Sequence, residues 1–382
     1  MDQKAAARQT IGSNAQTLVG LSHRVHSHPE LKFEEALSSQ WTAGVLADAG
    51  LSVDMGICDL PTAFSCSFGT GPLHVAICAE YDALPGIGHA CGHNIIAATA
   101  VGAGLALAPL VDDLELRVTI IGTPAEEGGG GKVLLLDRGA FDGVDAAMMV
   151  HPAPYEDLEP RISAVAHFGV TYEGRASHAA AAPSLGINAA DAFTVAQVAI
   201  GLLRQHLRPG EQVHGVVTQA GDAPNVVPAR AEGDWMVRAA TVADLDLVRP
   251  RIERCFAAGA LATGATVAIE DVAPLYSQMN HDHALLDLYR DNAVALGRTP
   301  DDENEMTFST DMGNVSLALP SIHPCIAIES DGAVNHQPEF AGACINASAD
   351  RAVLEGALAL AWTAIDVASG PLRTQLAARR AS

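Results

Sequence analysis

The chain has 382 residues, 49% of them hydrophobic, which is too long for one ordinary core and too apolar for a disordered chain. Its formal charge is −23, from 22 Lys and Arg against 45 Asp and Glu, which argues against nucleic acid or an anionic membrane surface as partner. Seven cysteines at irregular spacing, with no CxxC, read as free thiols in a reducing cytoplasm, and the opening MDQKAAARQT lacks the apolar run of a signal peptide.

Residues 10–50 read as helix, broken at His28-Pro29. Three short apolar runs follow: LHVAICA (73–79), RVTIIGT (117–123) and AAMMVHP (146–152). Helical stretches over 94–107 and 131–138 separate them. Continuous apolar strands alternating with helices indicate a mostly parallel sheet buried on both faces. The uncharged stretch 83–111 is long enough to tempt a membrane reading, but its prolines, glycines and Asn94 favour a buried helix of small residues.

The pattern changes after residue 161. ISAVAHFGVTYEG (162–174) alternates as a half-exposed strand does, and 188–206 is helical. VHGVVTQAG and ARAEGDWMVRAAT follow as paired strands, VADLDLVRPRIERCFAAGA as a helix that Pro250 is expected to interrupt or to tighten at one turn, and TVAIEDV as a last strand. Strand–helix–strand–strand–helix–strand is the split βαβ, ferredoxin-like pattern. The α/β style then returns with PCIAIES (324–330) and a long terminal helix over 347–367. The expected organisation is an α/β catalytic domain from 1–161 and 274–382, with an α+β domain, 162–273, inserted in it.

The chemistry gathers where strands end. AEYDALPGIGHACGHN (79–94) follows the first apolar run and carries Glu80, Asp82, His89, Cys91 and His93; PAEEGGGGK follows the second with Glu126 and Glu127. His151 ends the third, and DGAVNHQPEF adds His336. In open α/β sheets ligands bind at the carboxyl ends of strands, so Asp82, Cys91, His93, Glu126, Glu127 and His151 are expected to converge on one crevice, with His336 joining them. A thiol, imidazoles and carboxylates together are metal ligands by type, and their number exceeds one tetrahedral site, so two metals are expected.

Each residue alone has a plainer reading: Cys91 as a small core hydrophobe, His93 as a polar residue at a helix start, Glu126 and Glu127 as charges favoured by a helix dipole. Their joint placement at strand ends weakens that reading. GGGGK is not a phosphate loop, because Glu126 stands where Gly is required and Val133 replaces Ser or Thr. His23, His26 and His28 lie at a helix end far from any strand terminus and read as structural.

These stretches, together with HPAP, GRASHAAAAPSLGINAADA, NVVPA and FSTDMGNVS, resemble the M20 family of metallopeptidases and amidohydrolases. Within it, the likeness is to the aminoacylase-like branch, subfamily D, and to its p-aminobenzoyl-glutamate hydrolase and related dipeptidase group. It runs in order from about His28 to His336. The resemblance implies a di-metal catalytic domain, Zn or Mn, with an inserted dimerisation lid, and so a homodimer acting on N-acyl amino acids or dipeptides. Carried over by position, it makes Cys91, His93, Glu127, His151 and His336 the metal ligands. Glu126 becomes the general base and Asp82 the acid that orients a metal-bound imidazole. In the lid, His178 matches a histidine that reaches the partner's active site and stabilises the oxyanion, and Asn225 and Arg238 match residues that contact substrate. Two positions depart from many relatives of the branch: Asn94 stands where they have Asp, and Glu80 where they have Asp or His.

Two rival functions follow from the same residues. One is a thiol hydrolase with Cys91 as nucleophile and His93 as base. The other is a non-catalytic, metal-binding dimeric scaffold, against which an intact Glu126 argues.

Overall fold

The computed structural model describes residues 2–301 and 306–380. The chain divides into two units, Met1–Arg161 with Met279–Ser382, and Ile162–Gln278.

The first unit opens with α1 (Gln3–His26) and α2 (Ala36–Asp48), then β1 (Asp54–Met55), β2 (Phe64–Phe68), β3 (Leu73–Ala79), α3 (His93–Leu107), β4 (Leu116–Gly122), α4 (Gly131–Asp137), β5 (Ala146–Met148) and β6 (His151–Ala153). β3 is buried at every position, as its unbroken apolar run requires. It pairs in parallel with β4 and β5. β2, in the short stretch FSCSF that carries no strong strand signal, pairs antiparallel with β4 and makes the sheet mixed. The apolar run 146–152 splits: β5 stays in the main sheet, and after Met149 and Val150 the chain starts β6 in a second, two-stranded sheet.

After β7 (Arg161–Ile162), the second unit runs β8 (Ala164–Glu173), α5 (Ala189–Leu203), β9 (Gln212–Ala220), β10 (Arg230–Ala239), α6 (Val242–Thr263) and β11 (Thr266–Asp271). Its sheet is antiparallel throughout, in the order β11-β8-β10-β9. Side chains of β8 alternate between buried and half-buried, so one face is covered, and Phe168, Tyr172 and Trp235 pack there against Phe193 of α5 and Phe256 of α6. Asn188 and Thr241 cap the two helices through their side-chain oxygens. α6 does not break at Pro250, contrary to expectation. Buried Leu245 and Val248 before the proline and Ile252 and Phe256 after it hold one continuous face on the core, which offsets the lost backbone bond.

The chain returns to the first unit with α7 (His283–Ala295), β12 (Thr307–Phe308), α8 (Met312–Ala318), β13 (Ser321–Ile322), β14 (Cys325–Ala327), α9 (Pro338–Ala343), α10 (Ala347–Ser369) and α11 (Leu372–Arg380). β13 extends the main sheet beside β5, giving the order β1-β2-β4-β3-β5-β13, and β14 pairs with β6. Val75 and Ile77 of β3 face the core built with α1, α3 and α10, while Ala76 and Cys78 face α4 and α8. A Cβ on Gly102 of α3 would come within 2.8 Å of Ala357 Cβ and 3.0 Å of Leu18, so this glycine is what lets α1 and α10 approach α3 so closely. α3 and α10 are apolar enough to cross a membrane by length and composition, but 89% and 78% of their apolar windows are buried inside the fold. They are core helices.

Candidate metal centre

The site is built at the carboxyl ends of β3 and β4 and at the junction of β6 with β14. The chain leaving β3 carries Glu80 and Asp82, both buried. Gly92, with φ of +81°, turns the chain into α3 between Cys91 and His93. A Cβ there would meet Pro152 Cγ at 2.4 Å, so only glycine lets Cys91 and His93 press against the strand that carries His151. Ala125, at φ +59°, precedes Glu126 and Glu127. His336, at φ +69°, donates its backbone N–H to Ala90 O at 2.8 Å, which ties the late loop to the Cys91 loop.

The side chains expected to converge do so. Donor atoms of Cys91, His93 and His151 lie within 4.8 Å of one another; so do those of Cys91, Glu127 and His336, and those of His93, Glu126 and Glu127. The three groups share Cys91, His93 and Glu127, an arrangement consistent with a dinuclear centre. Individual separations are 3.4 Å from Cys91 Sγ to His151 Nε2, 3.3 Å from His336 Nε2 to Glu127 Oε1 and 3.7 Å from His93 Nε2 to Glu126 Oε2.

Neighbouring groups set which nitrogen each histidine presents. His93 Nδ1 lies 3.0 Å from Asp82 Oδ1, and His151 Nδ1 lies 2.8 Å from Pro152 O. Both Nδ1 atoms therefore carry the proton, and both Nε2 atoms turn a lone pair into the cluster. The other oxygen of Asp82 accepts the Glu127 N–H at 2.9 Å, so one carboxylate orients two of the converging residues.

These donors fit divalent metal ions. His93 Nε2 and Glu80 Oε2 are buried, 3.5 Å apart and without a hydrogen-bond partner, two polar atoms that a bound cation would satisfy. Burial would depress His93, yet Asp82 and Glu80 hold its pKa well above the usual range, so the pocket calls for positive charge. Burial raises Glu126, with Glu80 and Glu127 adding to it, whereas His336 and His93 overcome burial to lower Glu127. The adjacent glutamates are thus differentiated, the first suited to hold a proton and the second to remain an anion. Burial lowers His151 to about 4, which keeps it neutral as a ligand must be. The Cys91 thiol is pushed well above its ordinary pKa by burial and by Glu127 and Glu126. A nucleophilic thiol needs the opposite shift, and the sulfur lies against His151, not in a Cys91–His93 dyad.

In the second unit, His178 is exposed and forms a bridge with Val226. Ala179 N donates to Asn225 O at 3.0 Å, so His178 and Asn225 sit side by side on two zipped loops. His178 Nδ1 accepts from the N–H groups of Ala180 and Ala181 at 3.2 and 3.1 Å, which leaves the proton on an outward Nε2. Arg238 is half-buried near the end of β10, opposite Val165 and Gln212.

Residues 76–354 match the profile of Peptidase family M20/M25/M40. The chain belongs to the M20 family. It is 37% identical to the mouse Xaa-Arg dipeptidase over 388 aligned residues, covering 96% of this chain and 89% of the relative. It is 33% identical to a p-aminobenzoyl-glutamate hydrolase chain of Escherichia coli K12, over 67% of this chain and 58% of that one. Among solved structures it shares the fold of a Bacillus subtilis dinuclear metal binding peptidase of the M20 family, with TM-score 0.70, 21% identity and coverage of 94% and 99%. With its metal-ligand clusters, this M20 chain is a metal-dependent hydrolase of amide or peptide bonds.

Some residues of the M20 centre carry no clear signal in the sequence. Lys132, fully buried at the start of α4, reaches Glu80 Oε1 at 2.5 Å and Asp311 Oδ1 at 2.6 Å, and its backbone N–H donates to Asp311 Oδ2. Burial opposes its charge, but Asp311 and Glu80 keep its pKa well above normal. The available signal is a lysine opening an otherwise apolar helix. The His323 ring, also buried, stacks on His151 with centroids 5.4 Å apart.

Proposed function

We propose that this chain is a dipeptidase that releases a basic C-terminal amino acid, working as a cytoplasmic homodimer with two Zn or Mn ions per protomer. The observation that carries this reading is the 37% identity to an Xaa-Arg dipeptidase across 96% of the chain. The net charge of −23 supports it, because an acidic protein draws in cationic substrates.

Cys91, His93, Glu127, His151 and His336 would hold the metals, with Asp82 orienting His93. When bound, the metals supply a water acidic enough to deprotonate near neutral pH and positive charge for the scissile carbonyl. Glu126 receives the water's proton at its carboxylate and passes it to the leaving amine. His178, with Nε2–H outward, donates to the developing oxyanion from the partner protomer. Arg238 and Asn225 hold the substrate, Arg238 at its carboxylate.

A hydrolysis panel with Zn and Mn tests the substrate class: Xaa-Arg and Xaa-Lys dipeptides, Xaa-Gln as neutral control, N-acetyl amino acids and p-aminobenzoyl-glutamate. The basic dipeptides should give the highest kcat/KM. A preference for p-aminobenzoyl-glutamate or N-acetyl amino acids would overturn the assignment while leaving the hydrolase class intact.

A further inference from the structure

The segment 30–35, between α1 and α2, is bonded to both loops that carry the acidic side chains of the centre. Glu30 O accepts from Ala83 N at 2.8 Å, next to Asp82. Lys32 Nζ donates to Gly128 O at 3.1 Å, next to Glu127. Glu35 is wholly buried. Its Oε1 accepts from Phe33 N and from Ala125 N, each at 2.8 Å, and its Oε2 accepts from Thr62 Oγ1 at 3.0 Å.

Phe33 and Ala125, the two residues whose amides Glu35 holds, both have left-handed backbones, φ +63° and +59°. Neither is glycine, so each conformation is strained and persists only where the surroundings impose it. The turn is closed on its other side as well: a Cβ on Gly129 would strike Ala125 Cβ at 2.5 Å and the Phe33 ring at 2.8 Å. Ala125 immediately precedes Glu126. If its φ relaxed to the ordinary negative range, the directions in which Glu126 and Glu127 leave the backbone would change together.

We propose that Glu35 is a positioning residue of the metal centre: by fixing the left-handed turn at Ala125, it sets where Glu126 and Glu127 stand. The inference rests on reading those two residues as base and ligand. A burying scaffold alone would not need one oxygen to serve two strained amides on different loops.

The test uses Glu35→Asp, which keeps the carboxyl group but withdraws it from Ala125 N, Glu35→Gln, whose carbonyl can still accept from both amides while Thr62 accepts from its NH2, and Thr62→Val, which removes only the Oε2 contact. Zn²⁺ affinity is read by competition with a chromogenic chelator, alongside kcat, KM and thermal midpoint. Glu35→Asp should weaken Zn²⁺ binding or kcat by about 10–100-fold, the usual effect of displacing an outer partner of a metal ligand, with KM little changed. Glu35→Gln should restore most of the loss, and Thr62→Val should lower the midpoint without moving kcat. Equal midpoint losses in Glu35→Asp and Thr62→Val, with Zn²⁺ affinity and kcat at wild-type levels in both, would overturn the inference. Glu127→Gln is the separate control: if it keeps full Zn²⁺ affinity, the ligand reading beneath the inference is what fails.

Discussion

Asp82 Oδ1 and His93 Nδ1 are 3.0 Å apart, both fully buried, and this bond decides which nitrogen of His93 faces the cluster. Burial works against the charge on Asp82, but His93 overcomes it and holds the carboxyl below its usual range. In Asp82→Asn, the amide can present a donor to Nδ1 and stabilise the wrong tautomer, and the bond from Glu127 N is put at risk. Zn²⁺ affinity should fall about 10–100-fold. Chelator competition measures it directly, and unchanged affinity would show that His93 is held by packing alone.

The differentiation of Glu126 from Glu127 makes a second prediction. Glu126→Gln should fold and keep its metal, yet lose about 10²–10⁴-fold in turnover, the scale of a general base. Glu127→Gln and His336→Ala should lose metal and activity together, since the two side chains meet at 3.3 Å. Metal content by elemental analysis, set against kcat, separates the roles. Identical metal loss in Glu126→Gln and Glu127→Gln would remove the distinction.

The residues that sequence could locate are those whose position follows from local pattern. Apolar runs ending at Ala79 and near Gly122 place Asp82, Glu126 and Glu127 at strand ends without any long-range knowledge. Lys132 and Glu35 were not legible because their meaning depends on partners far along the chain. Lys132 is buried only because Glu80 and Asp311, 52 and 179 positions away, neutralise it. Glu35 answers to Ala125, 90 positions away. Pro250 shows the same limit in the helix: the local rule predicts a break, and packing on the sheet overrides it.

If the centre is completed by a partner protomer, activity should be recoverable between two defective chains. On the proposed reading, His178→Ala would lack the oxyanion donor and Glu126→Gln the base. Mixed dimers would contain one site with both residues intact. Exchange of protomers followed by assay should return activity that neither parent shows. No return, with exchange proven by differently tagged chains, would mean that His178 serves its own protomer or none.

Acid stability should carry a signature from His281, away from the candidate ligands. The ring is buried, with Nε2 3.4 Å from Pro160 O, and burial lowers its pKa to about 4. The unfolded chain takes up this proton near pH 6.5, so between pH 6.5 and about 4 the unfolded state binds more protons than the native one. Stability must therefore fall as pH drops through that window, by at most roughly 3 kcal/mol from this one group. His281→Gln keeps a donor for Pro160 and removes the titration. Urea melts of metal-free protein at pH 7 and pH 4.5 should show a smaller drop for the variant, and parallel drops would rule His281 out.

The substrate's carboxylate gives the last prediction. Lys and Arg number 22 in 382 residues, so a cation on an otherwise acidic surface is informative. Arg238 lies half-buried on β10, and its charge, after burial, helps to lower the pKa of His214 across the strand pair. A guanidinium can grip a carboxylate through two parallel N–H bonds, which an ammonium cannot reproduce. Arg238→Lys should lower kcat/KM for a dipeptide by roughly 10–100-fold, the worth of a charged hydrogen bond of about 1.5–3 kcal/mol. The corresponding C-terminal carboxamide, already a poor substrate because it lacks the anion, should be affected little. The comparison isolates recognition from folding, since any general damage to β10 would slow both substrates alike. Equal losses on the two would assign Arg238 to holding the sheet and leave the carboxylate to another donor.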